Sequence, residues 1–309
     1  MVSFRLKHLQ RLSVLLLSAT VLAGCSSTNS TFLDPHGPVA ASQRHLFFEI
    51  IGWMMIVVVP VFVLVPLFAW RYRRKNTASQ YRPDWTFSTP LEFVVWGVPV
   101  AIVAILAVVI LSKETQLDPY AAIPSQEPPL EVQVVGLDWK WLFIYPDQQI
   151  ATVGNLGLPS DRPVHFRLTS DSVMHSFFIP ALGSQIYAMA GMVTKLNLKA
   201  DRLGQLIGRN TQFNGTGFQN QHFSVAVLAP QDFSAWVKTV RTRGKPLDAA
   251  TYRVLSRRST AAQAKAQLGM TQDPAAKSVL YFSSVEPNLF TDIVDKYRHV
   301  AKTRRQDGG

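Results

Sequence analysis

The 309-residue chain holds a single cysteine, Cys25. One thiol cannot close an intramolecular disulfide, so an exported domain of this chain stands on its hydrophobic core alone. The same scarcity excludes a thiolate-bridged or blue-copper centre, because such sites need soft thiolate and imidazole donors in fixed geometry, and an amide is a poor substitute. Acid is the scarcer charge, with 20 Asp and Glu against 31 Lys and Arg for a net +11, and residues 131–309 carry 21 basic against 13 acidic groups. That balance repels a basic partner protein. No basic cluster sits in a recognisable nucleic-acid motif, which argues against nucleic acid. The soluble part has no Ser/His/Asp set, P-loop or paired-carboxylate spacing, so no active site of its own is expected. Charge is missing altogether from residues 50–70 and 93–111, each about the length of a helical membrane span.

The features that are present come in a definite order. Arg5, Lys7 and Arg11 precede an apolar run that ends Leu22-Ala23-Gly24-Cys25. A basic start, a short apolar stretch and small residues before a cut read as a signal peptide over 1–24. Cys25 directly after Leu-Ala-Gly looks like a bacterial lipobox, which makes it the expected lipid attachment point; an uncleaved signal anchor is the other reading. Residues 25–45 read as an exposed, exported linker with Pro35, Gly37 and Pro38. A transmembrane hairpin is expected over 46–111. Its loop, 71–90, opens with Arg71, Arg73, Arg74 and Lys75 and so faces the cytoplasm. Pro60 and Pro66 are tolerable in such a helix where neighbours satisfy the freed carbonyls. A proline-rich linker, 112–130, is expected to lift the next domain off the membrane.

Residues 131–230 read as β. Short apolar or alternating runs at 131–135, 139–145, 164–168, 184–198 and 223–227, parted by Gly and Pro, predict a sandwich of Greek-key type. Periodicity alone leaves cupredoxin and immunoglobulin subtypes open. Residues 231–309 turn helical: Phe233, Trp236, Val237 and Val240 keep helical spacing, as do Leu289, Ile293, Val294 and Tyr297. Residues 302–309, charged and ending in glycine, are expected to fray.

Two further stretches carry a resemblance. The first opens Val173-Met174-His175-Ser176-Phe177-Phe178-Ile179-Pro180, and the second runs Gly208-Arg209-Asn210-Thr211-Gln212-Phe213-Asn214-Gly215-Thr216-Gly217-Phe218-Gln219-Asn220-Gln221. Together with the lipobox, the hairpin and the runs Asp138-Trp139-Lys140-Trp141 and Tyr281-Phe282-Ser283, they resemble subunit II of the haem-copper respiratory oxidases, in the family's order over nearly the whole mature chain. Cytochrome c-oxidising members place a His and then Cys-x-x-x-Cys-x-x-x-His-x-x-Met around a dinuclear copper. Here His175 matches the first His, Asn210 and Asn214 stand at the cysteines with Gln212 between them, Phe218 replaces the second His, and Gln221 replaces the Met. The resemblance therefore runs to the bo-type ubiquinol oxidases, which lack that centre.

This resemblance implies a membrane-anchored α+β chain: a two-helix hairpin, an all-β cupredoxin-like sandwich on the periplasmic side of the bacterial inner membrane, and a helical C-terminal extension. It implies a copper-free, non-catalytic cap on subunit I of a proton-pumping quinol oxidase, with haems, copper and the quinol site in subunit I. No cofactor is expected in this chain, and no cytochrome c partner; further membrane subunits and lipid are. Glu92 matches a carboxylate at the mouth of a proton channel, and an ordinary helix-start charge is the competing reading. Trp139 and Trp141 are expected at an aromatic interface, with Trp139 structural once its copper acceptor is gone. His175 is expected to be a relic, with His165 and His222 as the imidazoles that could join it at a metal. The alternatives are a lipoprotein acting as a binding or assembly module outside any oxidase, and a copper-bearing cytochrome c oxidase subunit II.

Overall fold

The computed structural model describes residues 32–76, 84–270 and 278–306. The leader and Cys25 lie outside the described residues. Helix α1, Pro38–Arg71, and helix α2, Thr89–Leu117, are the two described helices long and apolar enough to cross a membrane. Their apolar side chains point outward, with Phe62 at 76% and Phe93 at 75% exposure, as suits lipid or a partner subunit rather than water. Each starts with a proline in its first turn, where the missing N–H costs nothing. Both are longer than the charge-free runs.

The extra length corrects the expected linkers. Residues 34–41 are a docked strap: the His36 N–H donates to Ala181 O, the Asp201 N–H to His36 O and the Ala40 N–H to Leu182 O. His36 and Ala40 are buried, and Arg202 holds Asp34 at 2.8 Å. The proline-rich connection is likewise tied down, since the Asn197 N–H donates to Pro119 O at 2.9 Å and its side-chain amide to Tyr120 O at 3.2 Å. Composition marks such segments as loops; it does not show which backbone groups find partners.

Two sheets pack face to face. The first, in the order β11-β12-β3-β2-β1-β5-β8, is formed by β11 (Lys245–Leu247), β12 (Leu280–Val285), β3 (Ile150–Val153), β2 (Lys140–Tyr145), β1 (Leu130–Leu137), β5 (Pro163–Ser170) and β8 (Thr194–Lys199). The second, β4-β10-β9-β6-β7, comprises β4 (Asn155–Pro159), β10 (His222–Leu228), β9 (Gly204–Asn210), β6 (His175–Ile179) and β7 (Gly183–Ala188). The β1–β5 and β4–β10 pairs are parallel and the remaining ladders within the sandwich antiparallel, apart from β11–β12. The run expected as one strand over 184–198 is two strands in different sheets. A turn at Met189–Met192, with Gly191 at φ +75°, breaks it.

Between the sheets lie Trp141, Phe143, Phe166, Phe177 and Phe223, all buried; Phe177 and Phe223 stack at 5.3 Å. Gly208 admits that stack, since a Cβ there would stand 2.0 Å from Phe223 Cζ. A second core lies on the other face of the larger sheet. There Leu142, Ile144 and Val153 meet Leu255, Ala264, Leu289, Ile293 and Val294 from the C-terminal region. Strand β2 is buried on both faces, which is why, after Lys140, the run 139–145 continues apolar rather than alternating.

The C-terminal region is helical as expected, with two strands besides. Helices α3 (Pro230–Arg243), α4 (Ala249–Leu255), α5 (Ala261–Gln267) and α6 (Leu289–Gln306) are present, and α6 continues through most of the tail expected to fray. However, β12 from the same region pairs with β3 and β11 with β12, extending the larger sheet, so the sandwich does not end at residue 230. Tyr281 and Phe282 alternate across that edge, half-buried and buried.

Candidate functional site

At one end of the sandwich the start of β6, the end of β9 and the 211–221 loop converge on His175. Its ring is fully buried. Two amide N–H donors face Nδ1, Asn214 Nδ2 at 3.0 Å and Gln221 Nε2 at 3.1 Å, while Ser172 Oγ lies 3.0 Å from Nε2. Donors against Nδ1 fix the neutral tautomer with the proton on Nε2, donating to Ser172. Burial pushes His175 down to about 4, against the opposing pull of the Asp138 charge.

The amides close on themselves. Gln221 Oε1 accepts from Asn210 Nδ2 at 3.0 Å and from Asn214 Nδ2 at 2.6 Å, and Gln221 Nε2 reaches Leu137 O and Lys140 O at 3.3 and 3.4 Å. Asn210 Oδ1 accepts from the backbone of Ser176 and Gln212 at 2.9 and 3.0 Å, and its Nδ2 donates back to Gln212 O. Phe218 instead turns to Phe213, 5.7 Å away between ring centres. These residues do not fit copper: the one nitrogen that faces the cluster is already hydrogen-bonded, and the groups around it are hard amides. Asn214 Oδ1 has no partner within the cluster, and one amide oxygen makes no copper site. His165 pairs with Asn197 at 2.8 Å and His222 lies near Gln219 O, so neither joins His175. Among the described residues there is no group of three His, Cys, Asp or Glu able to hold a metal.

Trp139 and Trp141 part company. Trp141 faces the core, 1% exposed and 5.5 Å from the His175 ring, and is not at an interface. Trp139, at φ +64°, is turned the other way and lies on the loop, with its indole N–H 3.3 Å from Asn214 O. Gly217 allows this close approach, because a Cβ there would stand 2.0 Å from Trp139 Cδ2. A side chain in the left-handed region is costly and persists where its surroundings fix it. On its other side the Arg258 guanidinium stands 5.5 Å from the ring centre and 3.3 Å from Asp138.

Sequence reasoning missed how firmly the C-terminal region holds this end. The buried Lys140 ammonium donates to Asp138 O, Arg257 O, Ser259 O and Ser259 Oγ at 2.8–3.2 Å. Burial brings Lys140 down to about 8. Asp171, just upstream of His175, accepts from Tyr252 and Lys296 at 2.7 Å each. A lysine between two tryptophans in a buried strand was the available signal, since a buried cation needs several acceptors. Lys140→Met should leave three carbonyls without their donor while removing a desolvated charge, so overall stability changes by less than about 2 kcal/mol. The 257–259 segment should loosen, however, and trypsin should cut at Arg257 and Arg258 several-fold faster than in the unaltered chain. Equal cleavage rates would show that Lys140 is not the tether.

Glu92 stands apart from this cluster, in the first turn of α2, where Trp96 Nε1 donates to its Oε2 at 2.9 Å. The helix dipole favours a carboxylate there.

Comparison with known proteins gives the family. The family described as "Cytochrome C oxidase subunit II, periplasmic domain" matches residues 147–227, and the "COX Aromatic Rich Motif" matches residues 272–299. The chain is 42% identical to the cytochrome bo(3) ubiquinol oxidase subunit 2 of Pseudomonas putida over 93% of its own length and 86% of that protein's. It is 42% identical to the ubiquinol oxidase subunit 2 of Acetobacter aceti over 92% and 87%. The quinol oxidase subunit 2 of Bacillus subtilis is 39% identical over 81% and 78%. Among solved structures, the periplasmic domain of subunit II of the Bradyrhizobium japonicum cytochrome oxidase matches 37% of this chain and 94% of its own, with 22% identity and a TM-score of 0.35.

Proposed function

Because the chain belongs to the subunit II family of the ubiquinol oxidases, we propose that it serves as the copper-free cap and membrane hairpin of a quinol-oxidising haem-copper oxidase. The observation that carries this is the amide cluster around His175, a hydrogen-bonded plug formed by the residues that the resemblance matches to a copper centre's ligands. Ubiquinol is lipid-soluble and delivers electrons within the bilayer. No relay from a water-soluble donor is then required, and the outer domain can keep its shape without its metal.

In this reading haems, copper and quinol pocket belong to subunit I, and the oxidase reduces oxygen while moving protons across the inner membrane. The α1–α2 hairpin packs on subunit I, the sandwich stands on the periplasmic side, and no electron passes through this chain. Glu92, at the cytoplasmic end of α2, is the proposed collector of protons, held by Trp96. Cys25 is the proposed lipid attachment. The proposed domain plan keeps hairpin and sandwich as distinct units, with the C-terminal region counted into the sandwich.

Purification in mild detergent tests the reading. Co-elution with a haem-bearing subunit, quinol-dependent oxygen uptake, and no copper assignable to this subunit are expected. A haem-free chain that elutes alone, or oxygen uptake driven by a soluble haem protein, would overturn it.

A further inference from the structure

We propose that the outer end of α1 binds the phosphate of an outer-leaflet phospholipid. The proposal rests on reading α1 as a membrane span whose N-terminal end lies outside. A groove of about 690 Å³ opens there, lined by Pro35, Ala41, Arg44, His45, Phe48 and Glu49. Its size lies in the range of small-molecule sites.

Depth places the groove. Residues 50–70 carry no charge and rise about 30 Å, the thickness of the hydrocarbon layer. Ile50 therefore marks the outer hydrocarbon boundary, and Arg44 stands about 9 Å beyond it along the helix. Headgroups occupy roughly the first 5–7 Å outside the hydrocarbon. Arg44 thus sits at their outer rim, within one side-chain length of the phosphates.

Charge then selects the ligand. His45 and Glu49 face each other at 3.8 Å, whereas among the described residues Arg44 stands outside the ion pairs. The permanent cation of the groove, with Glu49 turned to His45 instead, is thus a guanidinium, whose fork suits phosphate oxygens. Below it the helix offers a place for an acyl chain. Phe48 is 53% exposed and Met55 45%, and they lie on one face with Gly52, where an added Cβ would meet nothing within 4 Å. The missing side chain leaves a notch running down from the groove. A free anion would satisfy the guanidinium and leave Phe48 and the notch bare, so the lipid fits more of the site.

The test uses the complete oxidase, purified in mild detergent, with bound phospholipid counted by native mass spectrometry. Arg44→Glu and Arg44→Gln should each lose one phospholipid per copy of this chain. Titrating lipid back should show at least about tenfold weaker binding, the worth of one charge-assisted hydrogen bond. Phe48→Ala should weaken binding less, and Lys238→Glu, on α3, should leave the count unchanged. Nanodiscs of phosphatidylethanolamine or of phosphatidylglycerol identify the headgroup. An unchanged lipid count in both Arg44 variants overturns the proposal. So does displacement of the lipid by inorganic phosphate at equal affinity, which would mark a free-anion site, and so does loss of another subunit with lipid retained, which would assign Arg44 to a protein contact. Ser42→Cys, labelled by an impermeant maleimide against the unaltered chain as background, separates the premise from the proposal: labelling from the cytoplasmic side alone refutes the topology instead.

Discussion

Replacing Gln221 with leucine is expected to lower the stability of the outer domain by about 3 kcal/mol. The substitution keeps most of the volume and removes every polar contact of a side chain that is 1% exposed. Asn210 Nδ2 retains Gln212 O and Asn214 Nδ2 retains His175, so each loses one of two bonds. Leu137 O and Lys140 O lose the amide donor they share. Two weakened donors and two carbonyls that each lose a donor in a closed site cost more than a single exposed hydrogen bond, because water cannot replace the partner. Gln221→Met should cost as much, since a thioether accepts weakly and donates nothing. Denaturant unfolding of the full chain in detergent gives the difference, and amide hydrogen exchange across 210–223 should localise it. A cost below about 1 kcal/mol in both variants would mean that the loop is held by backbone and Trp139 alone.

Acid should unfold the same region. Burial leaves His175 titrating at about 4 in the folded chain, against 6.5 for an unperturbed histidine. Between these values the unfolded chain binds a proton that the folded chain refuses, so stability falls as pH falls. Above 6.5 both states are neutral and this group contributes no pH dependence. Across the window the loss reaches about 3 kcal/mol, complete only near pH 4. The structural cause is direct: a proton on Nδ1 would point an N–H at the amide donors of Asn214 and Gln221. His175→Gln should flatten the window from pH 6.5 to 4 whatever its cost at neutral pH. An unfolding midpoint that follows the same pH curve in both proteins would sink the idea.

Much of the architecture was legible from residue patterns. The charge-free runs at 50–70 and 93–111 lie inside α1 and α2, because lipid-crossing helices must be apolar over a length set by the bilayer. The aromatic run at 139–145 is a strand from Lys140 on, and the apolar spacings at 233–240 and 289–297 are helices. Less legible were the segments whose order comes from partners far along the chain. The strap at 34–41 reads as linker because Pro35, Gly37 and Pro38 favour a turn, and only Ala181, Leu182 and Asp201 give it a place. Strands β11 and β12 are short and sit inside a helical stretch; β12 exists because β3 offers an open edge, and β11 because β12 then offers the next. Trp139 and Trp141 are two residues apart in sequence, yet the positive φ at Trp139 turns its ring onto the loop while Trp141 enters the core.

Chemical identity alone decided that the site around His175 is no copper centre: amide and phenyl groups at 210, 214, 218 and 221 cannot supply thiolate or imidazole, however the chain folds. What became of those groups was decided by tertiary structure. Hydrogen bonds between residues 39 and 46 positions apart, such as Asn214 to His175 and Gln221 to His175, have directions that no sequence pattern encodes. They form because burial leaves each amide to find its partners inside the site, among the other amides, His175 and nearby backbone.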